Sequence, residues 1–529
     1  MAEAERARGI LGLSERAVNE PPGPGFIVVW LIGLLVVFSV GAALMNYSAL
    51  HPTQLDENGQ PVVISAVSLV SPDNIRRLWV EMPQTFTHFH PLGYVLVVML
   101  GAGVAERSGL FASAMRQGVR GAPKFLLTPV VALVAMMGNL AADAAYVVLI
   151  PLARVLYAAA GRHPIAGITA AFAGVSGGFS ANLLPGQLDA LLFGITQASV
   201  DASALHPGWV ANIAGNWFFI AAMVFLFLPV IWFVTDVIIE PRLKRYTAPD
   251  GDAMQNLGDA DAPLTPAQKK GLGRAGIAAL LVCALWALFV FMPGTPLIDE
   301  EAPIAAARLT PFYQSLVAGF FLLFFVSGWA YGAGAGTIKD HRDAVKMMSG
   351  AMGDLAYYLV LAFAAAHFVA MFNWSNLGLI FAVQGAGAIE QSGLPLPALL
   401  VLIVLFAGLV NLFVGSASAK WALMAPVLVP MMMLLGVSPE MTTAAYRVGD
   451  STTNIITPLM VYFPLVLTFC QRWRTDFGLG SLTAVMIPYS LWLMIAGLGL
   501  TFAWVYLDLP LGPGAVVDYT LPAAPAPAQ

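Results

Sequence analysis

The sequence predicts an all-α polytopic membrane protein, and three observations carry that prediction. Of its 529 residues, 59% are hydrophobic and only 10% are charged, against about 25% charged in soluble domains. Apolar runs long enough to span a bilayer recur along the chain, since a hydrocarbon core about 30 Å thick needs about 20 apolar residues per helix. Lys and Arg gather in the short segments on one side of those runs, as the positive-inside rule requires.

In chain order, residues 1–25 begin MAEAERARGILGLSERAVNE. They are mixed in charge and lack a small-residue cleavage site, so a cytosolic tail is expected rather than a signal peptide. Residues 26–90 hold a first crossing at 26–49 and an external loop. Single crossings follow near 91–105, 211–239, 275–294, 312–336, 348–372 and 482–507. The regions 125–194 and 396–470 are too long for one span and are broken by Gly, Asn, Ser, Thr and Pro. Each is expected to contain one re-entrant hairpin (about 125–161 and 396–436) and one broken crossing (about 165–194 and 439–470). The total is about nine transmembrane helices plus two hairpins. A polar cytosolic linker, 240–274, separates repeat 1 (91–239) from the connecting helices (275–336) and repeat 2 (348–507). The external tail 508–529 ends LPAAPAPAQ and is expected to be disordered.

The charges test this scheme. With the N-terminus inside, 20 of the 25 Lys and Arg residues are cytosolic; only Arg76, Arg77 and Arg308 are external, and Lys420 and Arg447 stay within the membrane. The scheme survives and puts the C-terminus outside. Cys283 and Cys470 lie in apolar segments, so neither a disulfide framework nor a zinc spacing is present. The chain has no G-x-x-x-x-G-K-[ST] for ATP. It has no basic face for nucleic acid outside the cytosolic loops.

The two irregular regions resemble each other. LVAMMGNLAADAAYVVLIP (133–151) aligns with LVNLFVGSASAKWALMAPVLVP (409–430), placing Gly138 against Gly415. SANLLPG (180–186) aligns with TTNIITP (452–458), placing Asn182 against Asn454. By the charge pattern the first hairpin opens inward and the second outward, an inverted-topology repeat of the kind that builds secondary transporters. Unwound backbone inside a membrane is tolerated where it lines a cavity. There, helix N-termini favour anions, and carbonyl, Asn, Ser and Thr oxygens suit small cations. The polar run YRVGDSTTNIITPLMVYF (446–463) is expected to face such a site.

At GNLAADAAYVVLIPL, AGVSGGFSANLLPGQLDALL, FNWSNLG, GSASAKWALMAPVLVPM and YRVGDSTTNIITPLMVYFPL the chain resembles the p-aminobenzoyl-glutamate transporter (AbgT) family, within a superfamily of hairpin-containing ion transporters. The likeness runs from about residue 26 to 507. It implies a homodimer in the bacterial inner membrane, with nine crossings, two hairpins and no cofactor. It also implies ion-gradient-driven import of a folate breakdown product or export of sulfonamide antimetabolites. The residues matching the family's functional positions are Asp189, Ser418, Trp421, Pro439, Arg447, Asp450 and Pro458.

Each residue has a plainer alternative. Arg447 and Asp450, spaced i, i+3, can face each other; either they form a fold-holding ion pair, or Arg447 pairs with a substrate carboxylate while Asp450 takes a proton or neighbours a cation. Asp189 is either a lone proton-exchanging carboxylate or a helix cap. The Trp421 ring either stacks on an aromatic substrate or packs. Ser418, Asn139, Asn182 and Asn454 are either cavity or ion ligands or partners for broken backbone. A sodium site near Asn182, Asp450 and Asn454 and proton coupling are both compatible with these oxygens. Pro439 and Pro458 suit helix ends or kinks. Asp143 and Lys420 sit at equivalent hairpin tips, where one would hold a cation and the other replace it. His367 is either a proton relay or packing. Two rival classes are weaker: an ion channel, for which no repeated selectivity filter exists, and an intramembrane serine protease built on GVSGG (174–178), whose Ser176 would need a base within hydrogen-bond reach.

Overall fold

The computed structural model describes residues 24–55, 60–119, 123–141, 145–243, 263–292, 294, 296–301, 308–457, 459–471 and 473–522. Asp143, Pro458, most of the linker and both chain ends fall outside them. The described chain is helical apart from one antiparallel hairpin. Helix α1 (Pro24–Leu44) leads into β1 (Ser48–Leu55) and β2 (Pro61–Ser65). They pair Ser48 with Ser65 and Leu50 with Val63, then shift register before Leu55. Helix α2 (Pro72–Thr87) follows, so the region expected as an external loop is structured. Its sequence, PDNIRRLWVEMPQTFT, is too polar to read as a span. Ser71 starts it by accepting from the Asn74 amide, with Pro72 in the first turn, where its missing N–H costs nothing.

Helices α3 (His90–Ser108) and α4 (Leu110–Val119) precede the first interrupted region. There α5 (Leu127–Met137) ends in the 3₁₀ turn Gly138–Ala141. The π turn Ala145–Leu149 then leads into α6 (Ile150–Ala159). Helix α7 (Pro164–Phe172) runs into a second π turn, Ala173–Gly177, and the chain is unwound until α8 (Gln187–Ser203). Beyond α9 (Trp217–Phe233), α10 (Pro266–Phe291), α11 (Thr310–Gln314) and α12 (Leu316–Ala335) come α13 (His341–Asp354) and α14 (Ala356–Trp374). The crossing expected at 348–372 is bent by 51° between those last two, at a Gly353–Asp354 step of weak helix formers.

After α15 (Leu377–Ser392) the second interrupted region begins. It comprises α16 (Leu396–Asn411), α17 (Ala417–Leu434), α18 (Pro439–Thr453) and α19 (Phe463–Gln471), before α20 (Leu479–Tyr506). Among the described residues, six helices are long and apolar enough to cross a membrane, or seven counting the bent pair as one. Five further apolar helices are shorter, and four of them belong to the two interrupted regions.

The largest apolar core joins α5–α7, α9, α16, α18 and α20. Helices α3, α10 and α12 pack together beside it. Residues 508–522, expected within a disordered tail, are instead docked. Leu511, Ala515 and Val517 are buried, the Ser438 amide donates to the Val517 carbonyl at 2.9 Å, and the Phe218 amide donates to the Leu511 carbonyl at 2.9 Å.

Helix α18 is buried along its whole length, which requires very close neighbours. A Cβ on Gly449 would lie 2.1 Å from the Val404 carbonyl oxygen of α16. Gly449→Ala is therefore expected to lower stability by about 1–3 kcal/mol. Gly387→Ala, at a site with open space, should leave the melting temperature of detergent-purified protein near wild type.

Candidate functional site

The start of α18 is set by Ser438, whose hydroxyl accepts from the Met441 amide at 3.1 Å, and by Pro439 in the first turn. Pro439 thus acts as a helix starter. Two turns on, α18 carries Arg447 and Asp450 into the protein interior, each 1% exposed. The i, i+3 spacing does not pair them. Partners from other helices reach each one first.

Arg447 Nη1 donates to Asp189 Oδ1 at 2.6 Å, joining α18 to α8. The other Asp189 oxygen accepts from the Gly186 amide at 2.7 Å, so Asp189 also caps the start of α8. The expectation of a lone carboxylate is corrected here: Asp189 holds an arginine and a helix N-terminus together. Arg447 Nε stays buried with no hydrogen-bond partner.

Asp450 pairs with the Lys420 ammonium of α17, both fully enclosed. Lys420 also donates to Asn411 Oδ1. The Asn411 amide nitrogen lies 2.8 Å from the Asp450 carbonyl, 2.8 Å from Thr453 Oγ1 and 2.9 Å from Asn454 Oδ1. Asn411 therefore ties α16, α17 and the unwinding end of α18 into one network. Sequence reasoning missed it, and the only signal was one amide in the apolar run LFAGLVNLFV.

Trp421 is fully buried. Its Nε1 donates to Thr196 Oγ1 at 3.0 Å, and its ring stacks on Tyr446 with centroids 4.5 Å apart. Tyr446 in turn donates to the Ala417 carbonyl at 2.6 Å. This indole packs the second turn of α18 against α17 and is not among the cavity-lining side chains.

A cavity of about 430 Å³ opens at the helix breaks. Ser416, Ala417 and Ser418, the start of α17, form its polar end together with Asn454. Tyr146 and Tyr462 line it as a stacked pair 4.3 Å apart. Gly415 is needed at its edge, because a Cβ there would lie 2.5 Å from the Leu459 carbonyl oxygen. Of the predicted residues, Ser418 and Asn454 face this space; Arg447, Asp450, Lys420 and Trp421 lie outside its lining.

Asn139 donates to the Gly178 carbonyl at 3.2 Å, tying the first break to the second. Its Oδ1, Asn182 Oδ1 and Ser180 Oγ are buried without partners. These are oxygens of the type that bind small cations. The Ser180 amide donates to Ser451 Oγ at 3.0 Å, a link between the two interrupted regions. His367 Nδ1 lies 2.7 Å from the Phe363 carbonyl. Ser176 contacts Met460 Sδ at 3.4 Å, and no base reaches its hydroxyl among the described residues.

The model of the AbgT putative transporter family matches residues 9–519. The p-aminobenzoyl-glutamate transport protein of Escherichia coli K12 is 35% identical over 506 residues, 96% of each chain. The solved Alcanivorax borkumensis YdaH transporter superposes with a TM-score of 0.84 at 40% identity, covering 93% of this chain and 100% of that one. Neisseria gonorrhoeae MtrF, described as illuminating a class of antimetabolite efflux pumps, gives 0.85 at 39% identity, covering 96% and 100%.

Breaking a buried pair strands a charge, whereas replacing both members with apolar groups does not. Arg447→Met alone is expected to lower stability by about 3–5 kcal/mol. Thermal unfolding of Asp189→Leu/Arg447→Met should recover most of that loss. Equal losses in the single and double variants would contradict the pairing.

Proposed function

The chain belongs to the AbgT putative transporter family, and on that premise we propose that it is an ion-gradient-driven secondary carrier of aromatic, acidic substrates. The substrate class is aminobenzoyl-glutamate-type folate catabolites or sulfonamide antimetabolites, as the names of its relatives suggest. The observation that carries this reading is a cavity with a helix N-terminus at one end and stacked tyrosines along its wall.

A substrate carboxylate meets the start of α17, where the positive dipole end favours an anion. Ser416 and Ser418 share a hydrogen bond at 3.2 Å there, so one of the two hydroxyls can turn to donate to the substrate. The aromatic part of the substrate lies against Tyr146 and Tyr462. Arg447 and Trp421, first expected to touch substrate, act through the architecture that holds α8, α17 and α18 around the cavity.

Coupling resides in Asp450. A proton or sodium ion arriving at its carboxylate competes with Lys420, which sits one turn inside α17. The released ammonium is then matched by a bound substrate anion. Ion and substrate favour the same state, so each raises the affinity for the other. The unpartnered oxygens of Asn139, Ser180 and Asn182 offer a second place for a sodium ion.

The order helix, break, helix, helix, break, helix occurs in both α5–α8 and α16–α19. This supports an inverted repeat of two hairpins and two broken helices, within nine crossings. The carrier works by alternating access as a homodimer in the bacterial inner membrane, with its N-terminus cytosolic and its C-terminus external.

The test is uptake of labelled p-aminobenzoyl-glutamate into proteoliposomes under separate proton and sodium gradients. Asp450→Asn is expected to reduce gradient-driven flux at least about tenfold, the effect of losing about 1.4 kcal/mol or more of coupling. Wild-type flux in this variant would remove Asp450 from the coupling role. No flux in folded wild-type protein under either gradient would remove the substrate.

A further inference from the structure

A second buried acid lies apart from the cavity and its ion pairs. Glu440 occupies the first turn of α18 and is only 9% exposed. No Lys, Arg or His lies within ion-pair reach of it among the described residues, and no other side chain donates to its carboxylate. A buried carboxylate normally has a cation or several donors to offset its desolvation. Glu440 instead faces an open pocket of about 270 Å³.

The pocket is polar and built from four separate parts of the chain. Asn212 comes from the segment after α8, and Thr310, Tyr313 and Gln314 come from α11. Glu440 comes from α18, and Pro513–Gly514 from the docked C-terminal segment. Asn212 fastens that last segment by donating to the Pro513 carbonyl at 2.7 Å. Beside the pocket, Asn216 donates to the Glu440 carbonyl at 2.8 Å, while its own Oδ1 is buried with no partner. The Glu440 carboxylate, the Tyr313 phenol, the Thr310 hydroxyl and the Gln314 amide thus line one pocket, whose lining among the described residues includes no Lys, Arg or His.

We propose that this pocket binds a small monovalent inorganic cation at Glu440, separate from any ion moved with the substrate. The donor set is all oxygen, which suits a hard cation. A single carboxylate matches one positive charge. The pocket has room for the ion and part of its hydration shell. The bound ion would clamp α11 and the C-terminal segment onto the start of the helix that carries Arg447 and Asp450.

The experiment is thermal unfolding of the full chain in detergent at pH 8 and fixed ionic strength. Choline chloride is replaced stepwise by sodium or potassium chloride. A cation that binds only the folded state raises the melting temperature saturably, here by an expected 2–6 °C, on the order set by its occupancy. The rise should persist in Lys420→Met/Asp450→Leu, which strands neither charge, and disappear in Glu440→Gln. Gln314→Leu, an exposed change in α11, should move the midpoint to a several-fold higher cation concentration and provides a reading if Glu440→Gln does not fold. The proposal is overturned by a rise that survives in Glu440→Gln, or by the same rise with choline. It is also overturned if Glu440→Gln stabilises the protein while wild type shows no cation dependence, since the carboxyl is then held neutral.

Discussion

Four buried charges that meet as two opposite pairs govern the interior of this membrane protein. On insertion scales a single Arg, Lys or Asp at a bilayer helix centre costs roughly 2.5–3.5 kcal/mol. Asp189 with Arg447 and Lys420 with Asp450 offset these costs pairwise. In each pair the members come from different helices. The pairs therefore fix how α8 and α17 meet α18, and α18 can be buried over its whole length only because they do.

The helix breaks follow from the same requirement. Unwound backbone needs partners inside the membrane, and Asn411, Asn139 and Ser451 supply them across the breaks. Trp421 and Tyr446 fill the space between α17 and α18 and tie the side-chain packing to the start of α17. What remains at the break is a cavity with one polar end and one aromatic wall.

Much of this was legible in the sequence. The runs of Gly, Asn, Ser and Pro marked the interruptions because helices cannot continue through them without partners. The charged residues at 189, 420, 447 and 450 stood out because membrane helices rarely carry any. Which charge meets which was not legible. Helical spacing put Arg447 beside Asp450, but spacing within one helix is silent about carboxylates and ammonium groups arriving from α8 and α17. Asn411 was hidden for a related reason, since a lone amide in an apolar run has no periodicity to reveal it. The docked segment 508–522 was also missed: apolar residues scattered among Gly, Pro and Asp look like a tail until the groove that receives them is known.

The Lys420–Asp450 pair is proposed to couple ion movement to substrate movement as well as to stabilise the fold. Its most direct test is simultaneous recording of ion and substrate uptake in the same proteoliposomes, for wild type and for Lys420→Met/Asp450→Leu. The double variant lacks both charges and so strands neither. In wild type, substrate is expected to carry ions with it. In the variant, melting near the wild-type temperature, that accompanying ion movement should be absent. Substrate-linked ion movement persisting undiminished in the folded variant would contradict it.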